Sequence, residues 1–142
     1  MTTRTASARY EGFGKAGKGF VSTQSGVLSD TQYGFTSRFE DGAGTNPEEL
    51  VAAAHASCFT MALSFALAQA GHQEGRLETK AAVTIESADG GFTITRSALD
   101  LTAAVPGISE EEFATIAAGA KANCPVSKLL NAEITLDYRL NG

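Results

Sequence analysis

The stretch TNPEELVAAAHASCFTMALSFALAQAG, residues 45–71, holds the longest uncharged segment of the chain. Residues 50–70 contain no Lys, Arg, Asp or Glu, so the segment has the length of a membrane-spanning helix. Eight of these 21 residues are alanine, however, and the residues just before them are Glu48 and Glu49 rather than cations. Small residues of this kind favour close packing of a second helix. We therefore predict a long buried core helix, and no membrane span.

Both ends of this helix are marked in the sequence. Asn46 suits the N-cap, Pro47 the first helical position, and Glu49 the third position, where its carboxylate can reach back to the cap amide as a capping box. Gly71 is a suitable stop, because glycine tolerates the left-handed conformation that commonly ends a helix.

The remaining elements follow from alternating and helical patterns. Before the long helix, three strands are predicted, and after it a strand hairpin, a helix, a short helix and a closing strand. In order these are SARYEGF, GFVSTQS and YGFTSRFE, then LETKAAVTIES and FTITRSALDLTAAV, then a helix from Ser109 to about Ala122, a short helix starting at Pro125, and AEITLDYRL. The order βββ-α-ββ-α-β predicts an α+β fold with antiparallel sheets, and the absence of a long linker predicts one domain over residues 1–142.

Composition excludes several classes of function. Eleven basic and sixteen acidic residues give a net charge of −5, and the basic residues form no stripe, so nucleic acid is not an expected partner. The N-terminus MTTRTASARYEGFG has no apolar signal core, which favours the cytoplasm. In a reducing compartment two cysteines are either inert thiols or a redox pair.

Cys58 lies on the helix face that carries Val51, Met61 and Phe65. An apolar setting raises the pKa of a thiol, so an inert structural cysteine is one interpretation. Cys124 favours a second interpretation. It directly precedes Pro125, which makes it a candidate N-cap whose helix amides favour a thiolate. If the fold brings the two cysteines together, a reversible disulfide is their natural use.

A thiolate on an apolar helix needs a cation, and Arg38 is the nearest candidate in sequence. It lies in the predicted strand YGFTSRFE, and Glu48 or Glu49 could hold its guanidinium. Glu48 precedes Cys58 by ten residues, about 15 Å along one helix, so it acts through Arg38 or across a dimer. The alternative is that Arg38 is a solvent-facing strand residue.

His55 precedes Cys58 by three residues on the same face, and three interpretations are open. It could be the base of a Cys-His pair, or a metal ligand together with Cys58, Cys124 and His72. We favour the third, a helix histidine that is hydrogen-bonded within a dimer interface, because the sequence has no dense cluster of ligands.

Two segments that include these residues resemble a known family. YGFTSRFEDGAGTNPEELVAAAHASCFTMAL and KANCPVSKLLNAEITLDYRL are similar to the OsmC branch of the OsmC/Ohr thiol peroxidases. The resemblance implies an intertwined homodimer whose sheets mix strands of both chains around two central helices, with two active sites at the interface. It implies Cys58 as the peroxidatic and Cys124 as the resolving cysteine, Arg38 as the activating arginine and Glu48 as the carboxylate that holds it.

The chemistry implied is reduction of organic hydroperoxides to alcohols in defence against oxidative and osmotic stress. Cys58 becomes a sulfenic acid, condenses with Cys124 to a disulfide, and a small-molecule or lipoyl-type dithiol resets the pair. No metal, flavin or haem cofactor is required. Four apolar side chains are expected to line the pocket or, as we favour, to fill the core: Tyr33, Phe39, Phe59 and Met61. The rival functions are a metal-dependent hydrolase using His55, Cys58 and Cys124, and a non-catalytic carrier of apolar ligands.

Overall fold

The structure is a computed structural model that describes all residues 1–142, and the chain forms two compact units, Met1–Leu50 and Val51–Gly142. The interpretation of residues 1–142 as one domain therefore stays a prediction. The first unit holds a three-stranded antiparallel sheet in the order β1-β2-β3. Its elements are β1 Ala6–Glu11, a 3₁₀ turn Gly14–Ala16, β2 Lys18–Thr23, β3 Thr31–Tyr33 and helix α1 Phe35–Phe39; α2, Pro47–Gln69, begins in this unit and continues into the next.

The third strand is shorter than predicted, and the segment that carries Arg38 is helical. Strand β3 ends at Tyr33, and residues 35–39 form α1 instead of continuing the sheet. The reason is local hydrogen bonding: the Ser37 hydroxyl accepts from the Gly34 amide at 2.9 Å and donates to the Gly34 carbonyl at 3.1 Å. Serine side chains that bond nearby backbone groups in this way favour turns and helix starts over strands. The strand prediction for YGFTSRFE was therefore wrong beyond Tyr33.

The long helix begins and ends where its sequence predicts. Asn46 Oδ1 accepts from the Glu49 amide at 2.7 Å, which is an N-cap hydrogen bond. The Glu49 carboxylate does not complete a capping box; it accepts from the Thr45 hydroxyl at 2.8 Å. Beyond the last turn Gly71 has φ of +97°, a conformation that glycine adopts without steric cost.

The second unit holds a three-stranded sheet in the order β4-β5-β6, together with most of α2 and two further helices. Its other elements are β4 Arg76–Ala88, β5 Gly91–Ala104, α3 Glu110–Asn123, α4 Pro125–Leu129 and β6 Glu133–Leu140. Strands β4 and β5 are antiparallel, as the predicted hairpin requires. Strand β6 pairs with β5 in parallel, so the prediction of purely antiparallel sheets was wrong. The reason is that α3 and α4 form the crossover connection that a parallel pair needs.

The hydrophobic core lies in the second unit, between the inner face of the sheet and the helices. Alternate residues of β5 point inward, as the period of a strand requires, and the buried face of α2 repeats every four residues. The buried hydrophobic residues are Phe59, Leu63, Leu67, Leu99, Leu101, Ala103, Val105, Ile108, Phe113, Ala117, Ala120 and Cys124. The closing strand packs on this cluster with the four residues of one face, Ile134, Leu136, Tyr138 and Leu140.

Helix α2 is buried on one side only. Phe59 and Leu63 are fully buried, whereas Met61 and Phe65 remain 63% and 68% exposed. In the single chain, the predicted buried core helix is thus buried on one side and exposed on the other. By length and composition α2 is the one helix that could cross a membrane, with 22% of its apolar window buried. Its buried side belongs to the hydrophobic core of the second unit, as the buried side of a core helix does.

The first unit contributes no buried hydrophobic side chain. Every buried hydrophobic residue of the chain lies at or beyond Phe59, and all six residues of β1 are exposed. The buried residues of this unit with polar side chains are Ser37, Thr45 and Glu48. A three-stranded sheet is stabilised mainly by burial of an apolar face, and in the single chain this sheet has no such buried face.

Candidate active site

The structure brings the two cysteines of the chain together. Cys58 lies on α2 beside the buried face and is partly exposed, and Cys124 is completely buried where α3 ends and α4 begins. Both are free thiols, and they lie close enough for each to shift the pKa of the other. Two neighbouring thiols, one partly exposed and one enclosed, are a candidate pair for oxidation to a disulfide.

Cys124 caps the short helix α4, as its position before Pro125 predicts. Its sulfur accepts from the Ser127 amide and from the Ser127 hydroxyl, both at 3.4 Å. The Val126 amide is hydrogen-bonded to the Cys58 sulfur. The first turn of α4 therefore directs donors at both sulfur atoms.

The pKa values of the two thiols are shifted in opposite directions. Burial raises the pKa of Cys58, and the neighbouring Cys124 raises it further, against the opposing hydrogen bond from the Val126 amide. Burial also raises the pKa of Cys124, but hydrogen bonds from the Ser127 hydroxyl, the Ser127 amide and Cys58 outweigh it, so the pKa lies below its usual value. No cation of residues 51–142 is among the groups that lower the pKa of Cys58. Within this unit the hydrogen-bond donors thus favour the thiolate form of Cys124 over that of Cys58.

His55 is fully buried on the same helix, one turn before Cys58. Its Nδ1 is 2.6 Å from Ser97 Oγ on β5, and its Nε2 is 2.8 Å from Ser127 Oγ on α4. Burial lowers the pKa of His55, so the ring is neutral. The prediction of a hydrogen-bonded histidine agrees with this geometry, but its partners lie in the core of its own chain and not in a dimer interface.

The hydrogen bonds of His55 also bear on the metal-site alternative. Both ring nitrogens already have serine hydroxyl partners, and His72 pairs instead with Glu112 at 3.1 Å. No three His, Cys, Asp or Glu side chains come together in a group that could hold a metal ion. The donor set that the hydrolase alternative requires is not assembled.

Arg38 and Glu48 form a separate pair within the first unit. Arg38 Nε donates to Glu48 Oε1 and Arg38 Nη2 to Glu48 Oε2, both at 3.0 Å. This two-bond geometry fixes the plane of the guanidinium, and the Glu48 side chain is only 9% exposed against 37% for Arg38. The outer edge of the guanidinium thus stays free of a second carboxylate, because the Glu49 carboxylate accepts from the Thr45 hydroxyl instead.

The four aromatic or apolar residues considered for a pocket separate into core and surface. Phe59 is completely buried and belongs to the hydrophobic core, so it does not line a pocket. Met61 is exposed on α2. Tyr33 packs edge-on against Tyr10 at 6.2 Å between ring centroids, and the Arg38 guanidinium lies 5.2 Å from the centre of the Phe39 ring.

Two residues of this site were not predicted from the sequence. Ser127 follows Cys124 by three residues, the spacing at which a cap residue meets its amide donor, and that spacing was the available indication. Ser97 is the polar member of an inward-facing row that continues with Leu99, Leu101 and Ala103. A serine in such a row must find a hydrogen-bond partner in the core.

Comparison with known proteins decides the family. Residues 40–139 match the family model described as OsmC-like protein. The chain belongs to the OsmC family. Peroxiredoxin OsmC of Escherichia coli strain K12 is 55% identical over 133 residues, 94% of this chain and 93% of that protein. An organic hydroperoxide resistance protein of Xanthomonas axonopodis pv. citri is 37% identical over 98 residues, 67% of each chain.

A solved structure agrees with this assignment. The crystal structure of the organic hydroperoxide resistance protein OhrB of Bacillus subtilis matches 97% of this chain and 98% of its own, with a TM-score of 0.73 and 27% identity. The family predicted from the two cysteine motifs, and the OsmC-like α+β fold, are therefore confirmed. The roles of Cys58, Cys124, Arg38 and Glu48 stay predictions.

The contact between the two sulfur atoms predicts how each one titrates alone. Cys124→Ser lowers the pKa of Cys58, because the neighbouring thiol raises it both as a hydrogen-bond partner and as a charge. Cys58→Ser raises the pKa of Cys124, because a donor to its thiolate is lost. Thiolate absorbance in the ultraviolet, followed against pH, measures both. The pKa of Cys58 in Cys124→Ser and the pKa of Cys124 in Cys58→Ser should lie closer together than the two apparent pKa values of the wild type, because interacting groups titrate as a pair. An equal difference in the variants and in the wild type would show that the thiols do not interact.

Proposed function

We propose that this chain is a cysteine-based peroxidase that reduces organic hydroperoxides to alcohols, with Cys58 as the attacking sulfur and Cys124 as the resolving one. The class of activity, a thiol-dependent hydroperoxide peroxidase in stress defence, is the one predicted from the sequence and is supported by membership of the OsmC family. The observation that carries the assignment of roles is the contact between a partly exposed and a fully buried thiol.

The difference in burial supports this assignment of the two roles. A hydroperoxide must reach the sulfur that it oxidises, and Cys58 is the accessible one. The Cys58 thiolate attacks the terminal oxygen of the hydroperoxide, the O–O bond breaks, and the alkoxide leaves as an alcohol after taking up a proton. Cys58 is then a sulfenic acid. Cys124, enclosed and already in contact, displaces hydroxide from it to form the disulfide and water.

Activation of Cys58 requires a positive charge. Its own surroundings raise its pKa, so at neutral pH the thiolate form is poorly populated without a cation. We assign this role to Arg38, which remains ionised and whose orientation Glu48 fixes through two hydrogen bonds. The free edge of the guanidinium would stabilise the thiolate and the negative charge that develops on the departing oxygen.

We further propose that the enzyme is a homodimer. Helix α2 leaves Met61 and Phe65 exposed although they belong to the most apolar segment of the chain. The first unit has no buried hydrophobic side chain, so its sheet needs a surface on which to pack. A second copy of the chain would supply a partner helix for α2 and would cover the N-terminal sheet.

The remaining partners follow from the chemistry. The apolar residues around α2 favour organic hydroperoxides over hydrogen peroxide. The Cys58–Cys124 disulfide returns to the dithiol form by exchange with a dithiol, either a small molecule or a lipoyl-type group. A cycle that depends on reduced thiols suits the cytoplasm. No cofactor takes part in these steps.

The first experiment follows the two thiols through one turnover. One equivalent of cumene hydroperoxide added to reduced protein under argon should consume both thiols and release one equivalent of cumyl alcohol. Peptide mass spectrometry should find a Cys58–Cys124 crosslink. In Cys124→Ser, Cys58 should accumulate as sulfenic acid, detectable with a dimedone-type probe. Survival of both thiols in the wild type would contradict the proposal, and a crosslink between chains would contradict the assignment of roles within one chain.

Arg38→Met should slow the reaction of Cys58 with hydroperoxide by roughly 10²-fold at neutral pH, because the thiolate and the departing oxygen lose their cation. The rate should recover in part at higher pH, where Cys58 ionises without help. Glu48→Gln should give a smaller loss, since it disturbs only the orientation of Arg38. Stopped-flow kinetics over a range of pH measure these effects.

Arg76→Met serves as the matched control, because Arg76 is exposed on β4 and pairs only with Glu78 at the surface. Its rate should equal that of the wild type. An Arg38→Met enzyme as fast as this control would exclude Arg38 from the reaction.

Phe65→Glu should weaken the dimer, because it places a charge in the apolar face of α2 that a partner helix would cover. Sedimentation equilibrium should find a dimer for the wild type and a concentration-dependent monomer fraction for the variant. Val27→Glu, which changes another exposed apolar residue, in a loop, should leave the dimer intact. A wild type that sediments as a monomer at all concentrations would rule out the homodimer.

A further inference from the structure

We infer that Ser97, His55 and Ser127 form a directed hydrogen-bond chain that positions Cys124 for the resolving step. The inference rests on the proposed peroxidase function. Ser127 contacts the reacting sulfur itself, whereas His55 and Ser97 are positioning residues that act on this sulfur only through Ser127. They come from three elements, β5, α2 and α4, and meet inside the core.

All members of the chain are enclosed. His55, Ser97 and Cys124 have no exposed surface, and Ser127 is 8% exposed. The atoms are joined by short contacts, 2.6 Å from Ser97 Oγ to His55 Nδ1 and 2.8 Å from His55 Nε2 to Ser127 Oγ, and the Ser127 hydroxyl reaches Cys124 Sγ at 3.4 Å. Without water to replace a missing partner, each buried donor needs an acceptor within the chain.

The direction of the chain follows from the number of protons. A neutral imidazole has one N–H, and each serine has one O–H. If the Ser97 hydroxyl donates to Nδ1, then Nε2–H donates to Ser127 Oγ, and the Ser127 hydroxyl is left to donate to the Cys124 sulfur. Every donor then has an acceptor, and the chain ends on Cys124.

The opposite direction is less favourable. If Nδ1–H donated to Ser97, the Ser127 hydroxyl would donate to Nε2 and would be lost to Cys124. The Ser97 proton would then lack an acceptor, because the His55 ring is the one side-chain partner of Ser97 Oγ. A doubly protonated ring has the same defect, and burial disfavours it as well. The titratable groups in contact with the chain are Cys58 and Cys124, and no carboxylate, lysine or arginine is hydrogen-bonded to it.

The consequence lies in the second chemical step. The Cys124 sulfur attacks the sulfur of the Cys58 sulfenic acid, an S–S bond forms, the S–O bond breaks, and the departing hydroxide takes the Cys124 proton to leave as water. Cys124 gives up this proton to react, so its sulfur carries negative charge at the start of the attack and loses it as the S–S bond forms. The Ser127 hydroxyl, held toward that sulfur by His55, stabilises this charge and keeps the sulfur in line with Cys58.

The test is a single-turnover experiment that resolves the two steps in one trace. Reduced protein is mixed with cumene hydroperoxide, and sulfenic acid formation and disulfide formation are fitted as successive phases. In Ser127→Ala the ratio of the second rate to the first should fall about tenfold, the usual effect of losing one hydrogen bond to a charged group. Excess hydroperoxide should then convert more Cys58 to sulfinic acid, which mass spectrometry measures.

Two companion variants separate positioning from damage to the fold. Ser127→Thr keeps the hydroxyl and should restore most of the ratio, whereas Ser87→Ala, an exposed serine of β4, should match the wild type. His55→Phe fills the same space without nitrogens and should lower the ratio several-fold, less than Ser127→Ala, because the hydroxyl remains but is no longer directed. Adding His55→Phe to Ser127→Ala should cause little further loss, since residues that act through one another are not additive.

A second measurement examines Cys124 alone. In a Cys58→Ser background, Ser127→Ala should raise the Cys124 pKa by about one unit by thiolate absorbance. An unchanged pKa together with an unchanged ratio of rates would overturn the inference. Independent, additive losses from His55→Phe and Ser127→Ala would overturn the directed chain. If wild-type thiols did not react with hydroperoxide at all, the proposed function would fail first, and the Cys124 pKa would still report on the hydrogen-bond chain.

Discussion

Helix α2 is apolar around most of its circumference, and this constraint shapes the rest of the molecule. One side carries Phe59, Leu63 and Leu67, which belong to the hydrophobic core of the second unit. The other side presents Met61 and Phe65 and finds no cover within the chain. A helix of this kind cannot be satisfied by one sheet, because a single sheet covers only one face. The apolar composition that lets one side of α2 form the core therefore also leaves an apolar face exposed on the single chain.

This constraint also explains the acid–base behaviour of the cysteines. Cys58 lies between the buried and exposed sides of α2, so its sulfur is accessible yet surrounded by groups that raise its pKa. Cys124 is enclosed but receives the donors at the start of α4. The accessible sulfur, Cys58, is thus the less acidic of the two, and the more acidic sulfur, Cys124, is enclosed. A cation near Cys58 would lower the pKa of this accessible sulfur, and this is the role proposed for Arg38, whose guanidinium is held by Glu48.

The sequence predicted the elements whose cause is local. Asn46 and Gly71 mark the ends of α2, Ser109 caps α3, and Cys124 before Pro125 caps α4, because a cap depends on residues within one turn. The helical segment around Arg38 was missed, because Phe35 and Phe39 have high strand propensity and the Ser37 hydroxyl, which bonds Gly34, decides the conformation.

Features that depend on the whole topology were less accessible from the sequence. The parallel pairing of β6 depends on where the crossover through α3 and α4 returns the chain. The partners of His55 lie 42 and 72 residues away, and no local pattern specifies them. The two cysteine motifs were informative for another reason. They identify the family, and the family implies how the chain folds, whereas the spacing of the cysteines in the sequence does not.

The buried polar chain at His55 shows what the site requires of the core. Phenylalanine at 55 and alanine at 97 and 127 would leave no polar atom to desolvate, and apolar replacements of buried polar networks are often neutral or stabilising. A core that instead encloses two serines and a histidine accepts the cost of desolvating them, which is tolerable only because every donor has a partner. Those hydrogen bonds run in one direction and end on the Cys124 sulfur. The network is therefore better explained by what it does to Cys124 than by what it adds to the stability of the fold.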